Sequence, residues 1–259
     1  MGNLPKNYLS YNQIRIYQTC PLKYYFHYIE DIGTLSNDRI ILGSAFHETV
    51  EKYFNKKIDG VTVSEKEIIT IFKTVFNDIV NKSEINWIET KATTLKKGVS
   101  FVKFFFRDIA KTLNPVMVEK DLSFVIPELN IEIKGIIDII EEDFSISDFK
   151  TSTAKWSKSR IQYSKLQIII YKYLFEQNFG SSASSLYFKV FHSKNDKNIK
   201  YQNLKVISEE DDIEKMIKIV KLISENIKKG SFYKNESYAC SFCDYKSICK
   251  NYSSTGSKI

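Results

Sequence analysis

The sequence predicts an α/β fold, a mixed central β-sheet flanked by helices. Three observations carry this. The first 114 residues hold several stretches of helical period with recognisable caps. At Pro115 the apolar period changes to that of strands, and three strands follow in succession. After Lys150 the helical period returns, is interrupted by two further strands, and closes on a last long helix. A sizeable core is available: 43% of the 259 residues are hydrophobic and 14% aromatic, and only 9 Gly and 4 Pro argue against a loop-rich sandwich. We expect one domain over 1–259: a mainly helical part over 1–114, a sheet core over 115–207, and a last helix with a tail over 208–259.

In chain order, Ser10 with Gln13 forms a capping box that opens a helix running to about Tyr28, broken or kinked at Pro21. The aromatics Tyr24, Tyr25, Phe26 and Tyr28 are expected to pack in the core rather than stack on bases. Asp31 to Arg39 reads as a polar loop, and LGSAFHETVEKYF begins a second helix near Gly43, with His47 and Glu51 on one face. Ser64 and Glu67 form another capping box for a helix to about Lys82, and Thr90 to Lys111 is a further helix. Val116 to Ile126, Ile131 to Ile140 and Ser145 to Phe149 make an antiparallel meander, with Glu141-Glu142-Asp143 as the second turn. A basic loop over 151–159 leads to a helix from about Arg160 to Asn178, then strands over 184–192 and 200–207. Ser208 is expected to cap the last helix, which Gly230 ends near Lys229, and the final SSTGSKI is expected to fray.

The formal charge is +7 and the pI about 9.0, a lysine-borne excess that suits a polyanion but equally fits a solvated surface. The start, MGNLPKNYLS, lacks the apolar core of a signal peptide, and Val99 to Ala110 is too short and too charged to span a bilayer. A soluble, cytoplasmic protein is expected. Its four cysteines should then stay reduced and are better read as metal ligands than as disulfides. They are Cys20, far upstream, and Cys240, Cys243 and Cys249 in a C-x2-C-x5-C run. Four thiolates are the complement of an iron–sulfur cluster or of a structural zinc.

The chemistry-bearing stretch is GIIDIIEEDFSISDFK, Gly135 to Lys150. Asp138 sits among isoleucines, where an acid is costly unless paired or holding a cation. Asp148 and Lys150 flank Phe149, so they share one face of their strand and Phe149 takes the other. Two acids and a lysine are the parts needed for phosphodiester hydrolysis with Mg²⁺ or Mn²⁺.

Taken in order, these motifs resemble the RecB-type nucleases of the PD-(D/E)xK superfamily, with a restriction-endonuclease-like core. More narrowly they look like the branch with an iron–sulfur cluster, which includes the AddB nuclease domain and the CRISPR-associated adaptation exonucleases. LGSAFHETVE is similar to the histidine motif, which implies His47 as a metal ligand. GIID and SDFKTS look like the G-x-x-D and (D/E)-x-K motifs, implying Asp138 and Asp148 on the metal and Lys150 as the catalytic lysine. LQIIIYKYL is similar to the Q-x-x-x-Y motif, with Gln167 and Tyr171 near the scissile phosphate. SYNQIRIYQTCPLKYYF resembles the segment bearing the isolated cysteine, which implies a staple of Cys20 with Cys240, Cys243 and Cys249, a [4Fe-4S] cluster with zinc as alternative. Glu119 matches an acidic position of the first core strand, its role open.

The resemblance implies a metal-dependent DNA exonuclease preferring single strands or ends, in repair, recombination or processing of spacer or phage DNA. A non-catalytic iron–sulfur subunit of a repair or recombination complex is the alternative, and a redox-gated DNA-binding protein a third reading. No G-x-x-x-x-G-K-[ST] occurs, so a helicase, recombination or CRISPR partner would be a separate chain.

Overall fold

The computed structural model describes residues 4–253. The fraying expected of the C-terminus lies, apart from Ser253, outside the described residues. In chain order the helices are α1 (Tyr11–Thr19), α2 (Pro21–Tyr24), α3 (Asp38–Ile58), α4 (Glu65–Asn81), α5 (Lys91–Phe104), α6 (Lys158–Phe179), α7 (Asp212–Lys228) and α8 (Lys246–Cys249). The strands are β1 (Tyr8–Ser10), β2 (Ser36–Asn37), β3 (Ile85–Asn86), β4 (Pro115–Ile126), β5 (Ile131–Glu141), β6 (Ile146–Ser152), β7 (Leu186–His192) and β8 (Lys200–Val206). No described helix is long and apolar enough to cross a membrane.

The chain divides into two compact units, one of residues 35–121 and 136–208, the other of 4–34, 122–135 and 209–253. In the larger unit β5 and β6 pair antiparallel, Ile139 opposite Ser147. β6 and β7 pair parallel, Asp148 opposite Phe188 and Lys150 opposite Val190. β8 returns antiparallel to β7. The sheet is therefore mixed, and the β6–β7 parallel pair needs a crossover, which α6 supplies. Helices cover both faces. Phe149 and Phe191 pack into a core with Phe46 of α3, Phe72 of α4 and Phe101 of α5, while Asp148 meets α6 on the opposite face. Gly98 lets α5 lie tight on its neighbours: a Cβ there would stand 2.1 Å from Phe72 and 2.9 Å from Leu42.

In the smaller unit β1 lies parallel to the start of β5, Leu9 opposite Ile133. The chain's two ends meet here. Leu22 donates its N–H to the Tyr233 carbonyl at 3.0 Å, Tyr17 its hydroxyl to Ser231, and Asn235 its amide to Thr19. Leu22, Phe26 and Tyr245 form a small core against which Cys20, Cys243 and Cys249 pack.

The Ser64–Glu67 capping box is present, and Ser10 caps α1, which stops at Cys20 before Pro21 starts α2. Tyr24 and Phe26 are fully buried, as packing demands. Three expectations need correction. The second helix starts at Asp38, capped by the Asn37 side chain, five residues before Gly43. β6 runs on to Ser152 because its parallel pairing with β7 continues to His192. Ser208 does not cap α7, which begins at Asp212 after Asp211 with no side-chain cap.

Candidate active site

Six residues singled out in the sequence, with Glu119, come from five elements of the larger unit. α3 supplies His47, β4 Glu119, β5 Asp138, β6 Asp148 and Lys150, and α6 Gln167 and Tyr171. Alternation along β6 does as expected: Phe149 enters the core while Asp148 and Lys150 face the other way.

The site has two halves. In the first, His47 Nδ1 is 3.3 Å from Asp138 Oδ2 and 3.9 Å from Glu119 Oε1. One ligand atom from each of the three lies within 4.8 Å of the others, and among the described residues no other group of histidine, cysteine or acidic side chains does so. Asp138 is nearly buried, and its Oδ2 also accepts the Phe149 N–H, which fixes the carboxylate against the neighbouring strand. Glu119 reaches the group from a strand whose backbone turns left-handed at that residue, φ +45°. The in–out alternation of β4 lapses there, so the residue behaves as a bulge that re-aims its side chain.

In the second half, Asp148 is 1% exposed. Its Oδ2 is 2.7 Å from Lys150 Nζ, and its Oδ1 accepts from Gln167 Nε2 at 2.8 Å. Gln167 also donates to the Tyr171 hydroxyl at 2.8 Å, one turn further along α6. The (D/E)-x-K acid, expected on the metal, lies against the lysine and the glutamine of its own motif set, and Glu119 lies with His47 and Asp138.

The charges are interdependent. Burial would lower the His47 pKa, but the Asp138 charge and hydrogen bonds to Asp138 and Glu119 outweigh it and push it up to about 10. Burial would raise Asp138, and the His47 charge reverses this, holding it below its ordinary value. Asp148 is pushed up to about 6 by burial, with Lys150 opposing and Asp138 adding to the rise. Burial, then Asp148, drives the Tyr171 phenol well up, so it stays a neutral hydroxyl. Glu51, one turn beyond His47, is raised by burial and then by the Glu119 charge. Carboxylate and imidazole donors are the set that Mg²⁺ and Mn²⁺ accept, and an ion there would relieve the repulsion between acids.

The four cysteines lie in the smaller unit, all as free thiols. They line one cavity of about 400 Å³ together with Phe26, Tyr245, Lys234 and Lys246. The Ser237 N–H points at the Cys240 sulfur at 3.5 Å. The Cys249 thiol is pushed up by burial, offset by Lys234 and reinforced by Cys20, Cys243 and Cys240.

No curated protein matches the sequence. A crystal structure described as "Putative exonuclease" from Eubacterium rectale superposes with TM-score 0.60 at 14% identity, covering 93% of this chain and 88% of that one, a likeness of fold. A second solved structure, SSO0001, has TM-score 0.36 at 15% identity over 84% and 86% of the two chains, too loose to carry an argument. The sequence matches the family model of the PD-(D/E)XK nuclease superfamily over residues 8–250, the span that holds every residue of both sites. The chain belongs to the PD-(D/E)XK nuclease superfamily.

Proposed function

We propose that the protein is a divalent-metal-dependent deoxyribonuclease that degrades DNA from ends, single strands preferred. The observation that carries this is the convergence of His47, Glu119 and Asp138 beside the Asp148–Lys150 pair. His47, Asp138 and Glu119 would hold one Mg²⁺ or Mn²⁺, with Asp148 joining when Lys150 turns to substrate. Such an ion activates water and neutralises charge on the phosphate. Lys150 serves as a point charge for the attacked phosphate. Gln167 orients Asp148 and Tyr171 through its two hydrogen bonds, and the neutral Tyr171 hydroxyl is left to position the strand. The lysine excess draws DNA in by a salt-sensitive field.

The cysteine cavity is proposed to hold an iron–sulfur cluster that ties the N-terminal helices to the tail. The four sulfurs line one cavity of about 400 Å³, room enough for a polynuclear cluster. Brown protein that loses its visible absorbance in Cys243→Ala supports iron, and colourless protein supports zinc. Repair, recombination or CRISPR-type processing with a separate helicase or other partner, inside a cell, is the setting this reading fits.

One observation favours a second reading, a non-catalytic DNA-binding subunit: Asp148 is ion-paired with Lys150 and accepts a hydrogen bond from Gln167. Digestion of end-labelled single-stranded DNA with Mn²⁺ separates the two. The nuclease reading expects loss of linear substrate, from the 5′ or the 3′ label, and survival of a circular control. No cleavage of single-stranded, duplex or flapped DNA would leave the binding subunit standing.

A further inference from the structure

The larger unit holds a second cavity, of about 230 Å³, walled by α3, α5 and the stretch just after Lys150. Thr151 and Ser152 line it, and they follow Lys150 on the same strand. Along β6 that wall begins roughly 3–7 Å from the lysine, with Ser152 on the Lys150 face of the strand and Thr151 on the face toward α3.

Lys97 is the residue that needs explaining. It belongs to the buried stripe Thr94, Lys97, Gly98, Phe101 and Val102 of α5, and only 5% of it is exposed. A lysine in such a stripe ordinarily finds a carboxylate or runs its ammonium out to water. The Lys97 ammonium makes no hydrogen bond or ion pair among the described residues, nor is it one of their sealed-off polar atoms. It opens instead on the cavity, where Arg39 and Arg160 also lie, again with no ion pair among the described residues. Arg160 is set in place by stacking on Trp156 at 4.9 Å, and the Trp156 backbone is held by Gln202. Two acids share the walls. Asp38 already accepts the Ile88 N–H at 3.0 Å, and Glu89 is the other. Three cations against two carboxylates, with threonine hydroxyls between them, make a receptor for an anion with several oxygens.

We propose that this cavity seats a phosphate group of the DNA strand held at the catalytic site, with Lys97 as its main contact and Arg160 and the Thr151 hydroxyl as further donors. The proposal rests on the nuclease reading for the identity of the strand. The phosphate is either the monoester at a strand end or the diester next to the one attacked, and both present the same oxyanion.

The test is fluorescence anisotropy of metal-free protein with single strands carrying a 5′-phosphate, a 3′-phosphate or neither. Lys97→Met keeps the length and burial of the side chain and so the fold, which a thermal melt checks. Arg160→Ala, at the surface, is a second probe that does not load the core. We expect Lys97→Met to weaken binding roughly tenfold or more. Its salt dependence should become shallower by about 0.7 in log–log slope, the signature of one phosphate fewer neutralised. A terminal monoester shows as a preference for one phosphorylated end that Lys97→Met abolishes, and an internal diester as equal weakening on all three strands. A folded Lys97→Met and an Arg160→Ala that both bind within twofold of wild type, with unchanged slopes, would overturn the proposal. Wild-type protein that binds with this Lys97 dependence but cuts nothing under Mn²⁺ rejects the nuclease reading and leaves the phosphate site.

Discussion

Glu119 shows what a single residue concedes to chemistry. Its φ of +45° in mid-strand costs a non-glycine residue on the order of 1–3 kcal/mol. Glu119→Gly relieves that strain and Glu119→Ala keeps it, so the glycine variant should melt above the alanine one while Mn²⁺ binding weakens roughly tenfold or more in both. A lower midpoint for the glycine variant than for the alanine one, with unchanged Mn²⁺ affinity, would contradict the assignment. His47 gives the pH dependence. Its pKa rises from an ordinary 6.5 to about 10, so its contribution to folding is complete below about 6.5 and is lost as pH climbs toward 10. Asp148, raised from 3.8 to about 6, likewise contributes most in acid and loses that between those values. Asp138, held below 3.8, acts oppositely, and only in stronger acid. Metal-free protein should therefore melt at lower temperature as pH rises from 7 to 10. A metal ion needs neutral imidazole, so Mn²⁺ should bind more tightly as pH rises and should expel about one proton at pH 7. Calorimetry in two buffers of different ionisation enthalpy reads that proton, and none released would be the contrary result.

At the scale of elements, Gly98 decides how α5 meets α4. Gly98→Ala puts a methyl 2.1 Å from Phe72, and the repacking should cost about 1–3 kcal/mol in denaturant unfolding. Unchanged stability would mean that α5 does not pack so closely. Nothing in the sequence marks this glycine, because a helical period shows which face is buried and not how near the neighbour lies. Caps were legible where side chain and position coincide, as at Ser64 with Glu67. They misled where a good capping residue precedes an irregular stretch, as at Ser208. The short β1 has no signal in the sequence, because three residues carry no usable period and its pairing with β5 is made entirely by tertiary contact. The motifs placed Asp148 and Lys150 on one face but could not show that Lys150 and Gln167 would occupy the acid, since that depends on how α6 lies over β6. Lys97 had a signal, a lysine in the apolar phase of a helix, which is easily taken for one more surface lysine.

For the whole molecule, the order of motifs along the chain foretold that residues about a hundred apart would meet, as His47 and Asp138 do, and that the two chain ends would share a unit. The division into two units crosses the strand meander and left no trace in composition. The excess charge of +7 should make DNA binding fall steeply with salt, and a flat dependence would argue against a polyanionic partner. The most direct measurement is cleavage of end-labelled single-stranded DNA with Mn²⁺ by wild type and by Lys150→Ala, with binding followed in parallel. We expect wild type to shorten the strand and Lys150→Ala to bind it while leaving it intact. Equal cleavage by the two proteins would contradict the account.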